Sequence, residues 1–142
     1  MTQAVVSHEI MAEIQDFYAR QVQAMDNGRY AEFAQTFADD CEFTPVKHQS
    51  TAHGRQAIVR KLDDFAKQLA GNGERRRHWM SMSVIKEGGP GRYDVVSYAL
   101  VTNTAPGEPP KLHWAGEIVD SLVRENGELL VLRRAVNSDS IA

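Results

Sequence analysis

The chain has 142 residues, of which 42% are hydrophobic and 25% charged, and its formal net charge at pH 7 is -3. That length suits about one domain around one core, and the composition is too apolar for a disordered tail. A net negative chain lacks the basic footprint that phosphate binding needs, so nucleic acid is excluded as an expected partner.

The opening "MTQAVVSHEI" has no basic flank before an apolar stretch, and no later apolar run approaches the length of a membrane span. A cytoplasmic protein with no membrane partner, forming a single domain over residues 1–142, is expected. Ser7 is placed to cap a helix whose apolar positions Ile10, Ile14, Phe17 and Met25 recur at helical spacing, widened by Met11, Tyr18 and Val22. "MDNGR" ends that helix, because Gly28 can take the left-handed conformation common at helix ends. A second, shorter helix is expected through Tyr30, Phe33 and Phe37, stopping before "ADD". "CEFTPV" reads as a short strand that Pro45 confines to an edge or an end. Its Cys41 is the only cysteine, so no intramolecular disulfide is possible, and it reads as a small buried apolar residue. "KHQSTAHG" is expected as loop. After Gly54 a third helix shows Ile58, Leu62, Phe65 and Leu69 on one face and closes at "AGNGE".

From Arg75 onward the period becomes two. "HWMSMSVI", "RYDVVSYALVT", "KLHWAGEIVDSLV" and "ELLVLRRAV" are separated by the turn-rich "EGGPG", "NTAPGEPP" and "RENG", which predicts an antiparallel meander. Strict alternation in the first strand puts His78, Met80, Met82 and Val84 on one face and Trp79, Ser81, Ser83 and Ile85 on the other. Helices first and strands afterwards is an α+β order.

This order, together with "MDNGRYAEFAQTFADDCEFTP", "HGRQAI", "RRRHWMSMSVI" and "DSLVRENGELLVLRRAV", resembles the NTF2-like superfamily over nearly the whole chain. The resemblance implies a cone-shaped α+β fold, with three N-terminal helices packed on a curved, mainly antiparallel sheet around a pocket. Within the superfamily the chain is most similar to the SnoaL-like group. That group includes small stand-alone proteins of actinomycete aromatic polyketide pathways and the β subunits of aromatic-ring-hydroxylating dioxygenases. The same fold hosts isomerases, dehydratases, cyclases and binding proteins, so function has to be argued from the pocket.

On a cone-lining strand, His78 heads an apolar stripe and suits general acid/base work near neutral pH; a core histidine satisfied by a backbone carbonyl fits the same spacing. Asp26 closes the first helix, where a carboxylate is poorly placed against the helix dipole, and reads either as a turn former or as the partner of a pocket histidine. The resemblance to scytalone dehydratases, distant members of the superfamily, implies a catalytic pair at His78 and Asp26. It also leads to Asn103 at the place of a second histidine. Ketosteroid isomerases carry their base where this chain has Thr44, with Glu42 on the same strand face, so that chemistry lacks its base here. The late-strand aspartate of SnoaL-type cyclases has Asp120 and Asp139 nearby without a clear match.

Tyr18, Phe43, Met80, Met82, Tyr98 and Trp114 are expected to form an adaptable wall for an aromatic ligand, although all are also ordinary core material. His48 and His53 lie in a loop that could cover the mouth, and His113 alternates with Trp114, so only one of these two is expected inside. "EGGPGR" joins two strands and reads as a hairpin turn, and no metal-ligand spacing is present, so neither metal nor cofactor is expected. "RRR" reads as a solvated strand entry or as an attraction for an acidic or phenolate substrate. The leading expectation is a cofactor-independent cyclase, dehydratase or isomerase of an aromatic polyketide-like molecule. The alternative is a non-catalytic, β-subunit-like scaffold or ligand-binding partner of another enzyme. A homodimer through the open sheet is expected in either case.

Overall fold

Ser7 accepts the Ile10 amide at 3.2 Å and opens α1 (His8–Asp26) in a computed structural model that describes residues 6–45 and 50–140. The buried face of α1 carries Ile14, Tyr18, Gln21 and Ala24, which is the spacing of one helical stripe. Asn27 caps the helix, and Gly28, at φ 76°, turns the chain into α2 (Tyr30–Gln35). α2 is shorter than its apolar spacing predicts. Thr36 Oγ1 donates back to the Phe33 carbonyl at 2.5 Å, while the Thr36 carbonyl accepts the Val131 amide at 2.8 Å. The sheet thus captures the backbone at Thr36, and Phe37 becomes the first residue of a strand instead of the last turn of a helix.

The strands are β1 (Phe37–Thr44), β2 (Ala52–His53), β3 (Arg75–Glu87), β4 (Arg92–Thr104), β5 (Lys111–Glu125) and β6 (Glu128–Ser138), with α3 (Arg55–Ala70) between β2 and β3. They form one six-stranded sheet in the order β2-β1-β6-β5-β4-β3. β1 runs parallel to β6, and every other neighbouring pair is antiparallel. The architecture is therefore α+β, with helices on a mainly antiparallel open sheet. Pro45 lies just past β1, which is not an edge strand; the edge beyond it is the short β2, in a segment expected to be loop. Ile14, Tyr18, Phe33, Phe37, Val95, Leu122 and Val131 belong to the buried core between the layers.

Irregularities in the ladders bend the sheet and decide which side chains face the helices. In β3 two residues, Met82 and Ser83, oppose Ser97 alone, because Ser81 pairs with Tyr98 and Val84 with Val96. Met82 takes φ 57°, and Ser83 turns inward so that its hydroxyl meets that of buried Ser97 at 2.7 Å. The strict alternation read from the sequence is broken here. Met82 is 75% exposed and Val84 60% exposed on the outer face, not beside His78 and Met80. Tyr98 is likewise outside, at 66% exposure, since Val95, Ser97, Ala99 and Val101 hold the inner face of β4. Neither Met82 nor Tyr98 belongs to the inner wall expected of them.

A buried polar network ties the layers together. Arg134 of β6 donates from Nε to Asp120 Oδ1 at 2.9 Å and from Nη2 to Asp120 Oδ2 at 2.8 Å and Gln21 Oε1 at 2.7 Å. Tyr18 donates to Asp120 Oδ2 at 2.8 Å, and Gln21 donates on to Thr36 Oγ1 at 2.7 Å. Burial opposes the Arg134 charge, but Asp120 outweighs it and keeps the guanidinium firmly protonated. Burial first, and the Asp120 carboxylate second, push the Tyr18 phenol far above its ordinary range, so it serves as a donor only.

Two measurements test this account. Asp120→Ala leaves Arg134 charged and unpaired in the core and is expected to lower stability by about 3–5 kcal/mol in urea unfolding. Met82→Gly removes an exposed side chain from a left-handed backbone and is expected to leave stability unchanged or raise it, whereas Met82→Val is expected to lower it by about 1–2 kcal/mol.

Candidate active site

Helix ends and the inner sheet face leave a cavity of about 390 Å³, within the range of small-molecule sites. Its wall is mostly apolar. α1 contributes Met25, α2 Phe33, α3 Phe65 and the sheet Phe43, Met80 and Trp114. The polar groups that reach this wall are Arg76, His78, His113 and Arg134.

His78 and Asp26 are brought together by the end of α1 and the start of β3. Asp26 Oδ2 accepts the His78 backbone amide at 2.9 Å, and Oδ1 meets His78 Nδ1 at 2.6 Å. The Asp26 side chain is 7% exposed and that of His78 27%. A carboxylate at a helix C-terminus works against the helix dipole, and these two contacts supply the compensation. With Asp26 accepting from Nδ1, the proton is assigned to that nitrogen and Nε2 is left as the ring atom able to take a proton.

His113 and Trp114 both line the cavity, against the expectation that only one could. Val101 pairs with Trp114 and Thr102 with Leu112, so His113 is an extra residue in β5 and alternation fails at that point. The Trp114 ring packs over Gly116, where an added Cβ would come within 2.6 Å of it. Reduced solvation first, and the Arg76 guanidinium second, hold the His113 pKa below the ordinary histidine value.

Among the three arginines of "RRR", Arg76 shares the inward parity of His78 and Met80. Its Nε donates to Asn103 Oδ1 at 3.2 Å, and its guanidinium lies 4.9 Å from the centre of the Phe65 ring. Asn103 is outside the cavity wall and acts on it only through Arg76; its amide nitrogen donates to Glu74 Oε2 at 3.1 Å. Arg134 reaches the wall as the visible end of the buried network, and Tyr18 stands behind it, away from the cavity surface. Asp120 has both oxygens engaged by Arg134 and Tyr18, so no free carboxylate base exists there.

Of the remaining candidates, His53 is exposed on β2 away from the cavity, and His48 lies outside the described residues. Thr44 and Glu42 are exposed, and Asp139 borders an outer groove with Trp79, Met82 and Tyr98. Arg134 was not among the expected site residues, His113 was weighed only as the alternative to Trp114, and Arg76 only as part of "RRR". Arg76 was readable from its parity with His78, and Arg134 from a charge inside the apolar run "LLVLRRAV"; His113 depended on a bulge that no local pattern marks. Among the described residues no cluster of three or more His, Cys, Asp or Glu side chains could hold a metal, and no helix is long and apolar enough to cross a membrane.

Comparison with solved structures places this geometry among known relatives. ActVI-ORFA from Streptomyces coelicolor is 31% identical, with a TM-score of 0.85 over 93% of this chain and 99% of that one. A protein from Catenulispora acidiphila, solved in complex with S-DNPA, is 33% identical, with a TM-score of 0.85 over 94% of this chain and 96% of that one. Aln2 from a Streptomyces species is 29% identical, with a TM-score of 0.86 over 96% of this chain and 95% of that one. A search of curated protein sequences gives no significant match. The family profile of the SnoaL-like domain matches residues 7–135, and with the fold and these relatives it makes the chain a member of the SnoaL-like family within the NTF2-like superfamily.

Proposed function

We propose that this protein is a cofactor-independent acid/base enzyme that cyclises, dehydrates or isomerises an aromatic polyketide-like molecule. The observation that carries the reading is the Asp26–His78 pair, whose His78 lies in the wall of an apolar cavity of about 390 Å³. SnoaL-like membership and the likeness to a protein solved with S-DNPA support a small organic ligand in that cavity.

The chemistry follows from the ring's two nitrogens. Asp26 holds Nδ1–H, so Nε2 accepts a proton from the carbon beside a substrate carbonyl, and the electron pair left behind forms an enolate. The imidazolium so formed faces the Asp26 carboxylate, which stabilises it. Returning that proton to a departing hydroxyl completes a dehydration, returning it to another carbon completes an isomerisation, and attack of the enolate carbon on a second carbonyl closes a ring, the alkoxide so formed taking the proton back from the imidazolium. Met25, Phe43, Met80 and Trp114 supply the flat contact area that an aromatic substrate fills.

The outer face of the sheet is proposed as the homodimer interface. Trp79, Met82, Val84, Tyr98 and Leu112 are all more than half exposed there, a contiguous apolar face that a monomer rarely leaves open. The same exposed face favours the second reading, a scaffold or binding partner docked on another chain.

Turnover of hydroxylated polycyclic ketones by purified protein without cofactor, followed by chiral chromatography with mass detection, tests the catalytic reading. His78→Ala is expected to lower kcat by about 100-fold or more. Asp26→Asn is expected to lower kcat with little change in KM, because it disturbs the ring's tautomer and not the apolar wall. Equal turnover by wild type and His78→Ala would remove His78 from the chemistry. Sedimentation is expected to report a dimer for the wild type and a monomer for the double variant Met82→Glu, Tyr98→Glu; a wild-type monomer that binds a larger chain would favour the scaffold.

A further inference from the structure

Four polar side chains reach the cavity wall, and two of them, Arg76 and Arg134, are guanidiniums that stay charged. The Trp114 indole can only donate. His78 and His113 are therefore the groups of this wall that exchange protons near neutral pH, and proton abstraction by His78 leaves His113 without a task. The ladders set the two histidines level with each other on either side of β4. His78 of β3 pairs with Val101, and Val101 pairs with Trp114 of β5, next to which His113 is the bulged residue. Two strand spacings put their backbones roughly 10 Å apart, and buried Val101 forms the cavity surface between them. A flat ring system standing on Val101 thus turns one face to His78 and the other to His113. Strict alternation would have sent His113 to the outer face, and re-aiming one side chain is what a bulge beside an active site does.

We propose that His113 is a second acid/base residue of the site, acting on the substrate face opposite His78, so that the cavity inverts a stereocentre beside a carbonyl. The inference rests on the cavity being the substrate site. His78 Nε2 takes the proton from one face of that carbon, and the electron pair left behind gives the enolate. Protonated His113 then gives its proton to the opposite face of the same carbon, the carbonyl re-forms, and the configuration is inverted. His78 releases its proton to water and His113 takes one from water, which restores the starting state. In the reverse direction His113 takes the proton, and the His78 imidazolium facing Asp26 delivers one. The two rings are held differently, as these tasks require. Asp26 fixes His78 through Nδ1, whereas the His113 ring joins no ion pair among the described residues and is exposed at the cavity mouth, in reach of water. Reduced solvation first, and Arg76 second, make the His113 imidazolium a readier proton donor than an ordinary one.

The test follows each enantiomer of 2-methyl-1-tetralone, a neutral aryl ketone with one stereocentre beside its carbonyl, in deuterium oxide with the full chain. Mass detection reports deuterium uptake at that carbon, and chiral chromatography reports inversion. The wild type is expected to label both enantiomers and to interconvert them. His113→Gln is expected to lower the labelling of one enantiomer by about 100-fold or more, while the other is still labelled but no longer inverted. His78→Ala is expected to spare the opposite enantiomer. The labelling that survives in each variant shows that the variant is folded, and a merely structural role for His113 would lower both enantiomers together. Labelling without inversion in the wild type, or a His113→Gln variant that treats the two enantiomers alike, overturns the inference alone. No labelling of either enantiomer by the wild type overturns the catalytic reading with it.

Discussion

Arg134 and Asp120 form an ion pair with almost no solvent contact, and it joins β5 and β6 to α1 through Tyr18 and Gln21. Desolvating two charges is costly, and the pair is held by bonds to both carboxylate oxygens and by the Nε and Nη2 donors of the guanidinium. The guanidinium also lies over Phe37, 5.4 Å from the ring centre, at the point where Thr36 passes the chain from helix to sheet. α1, α2 and the central strands are thus registered to one another by a single polar cluster. The cavity is the space left above it, and Arg134 is part of its floor.

The other end of α1 solves a different problem. β3 is an edge strand, hydrogen-bonded to β4 on one side only, and an edge is a poor place to hold a reactive side chain still. Asp26 grips β3 twice at one residue, through the backbone amide and the ring of His78. The same carboxylate that orients the imidazole also fixes the strand that carries it. Asn103 plays the corresponding part for Arg76, from the neighbouring strand.

Bulges separate two chemically distinct faces. In β3 the extra residue sends Met82 and Val84 outward to join Trp79 and Tyr98, so the outer face gains the apolar area proposed for a subunit interface. In β5 the extra residue does the reverse, bringing His113 inside beside Trp114. One added residue in each ladder therefore moves a methionine out of the candidate site and a histidine into it.

The limits of α1 and α3, the meander and the α+β order were legible because capping, turn chemistry and periodicity are local properties: Ser7, Gly28 and Gly54 act on their own neighbours. His78 and Met80 could be put on one face from parity, the family resemblance made that face the wall of a pocket, and Asp26 stood out by its awkward place at a helix end. Parity is only as good as the ladder it counts along. Whether a strand admits an extra residue depends on its partner's packing, which is why Met82 and His113 were misplaced, whereas Tyr98 lies on a regular stretch of β4 whose inner face is held by Val95, Ser97 and Val101. The helical spacing of Phe33 and Phe37 likewise lost to a backbone hydrogen bond from Val131, nearly a hundred residues away in the chain. Sequence by itself determined which residues are available and in what local form. Only the tertiary structure decided which charges meet, because the partners of Arg134, Asp26 and Arg76 come from distant elements and their pairing is set by the packing that removes them from water.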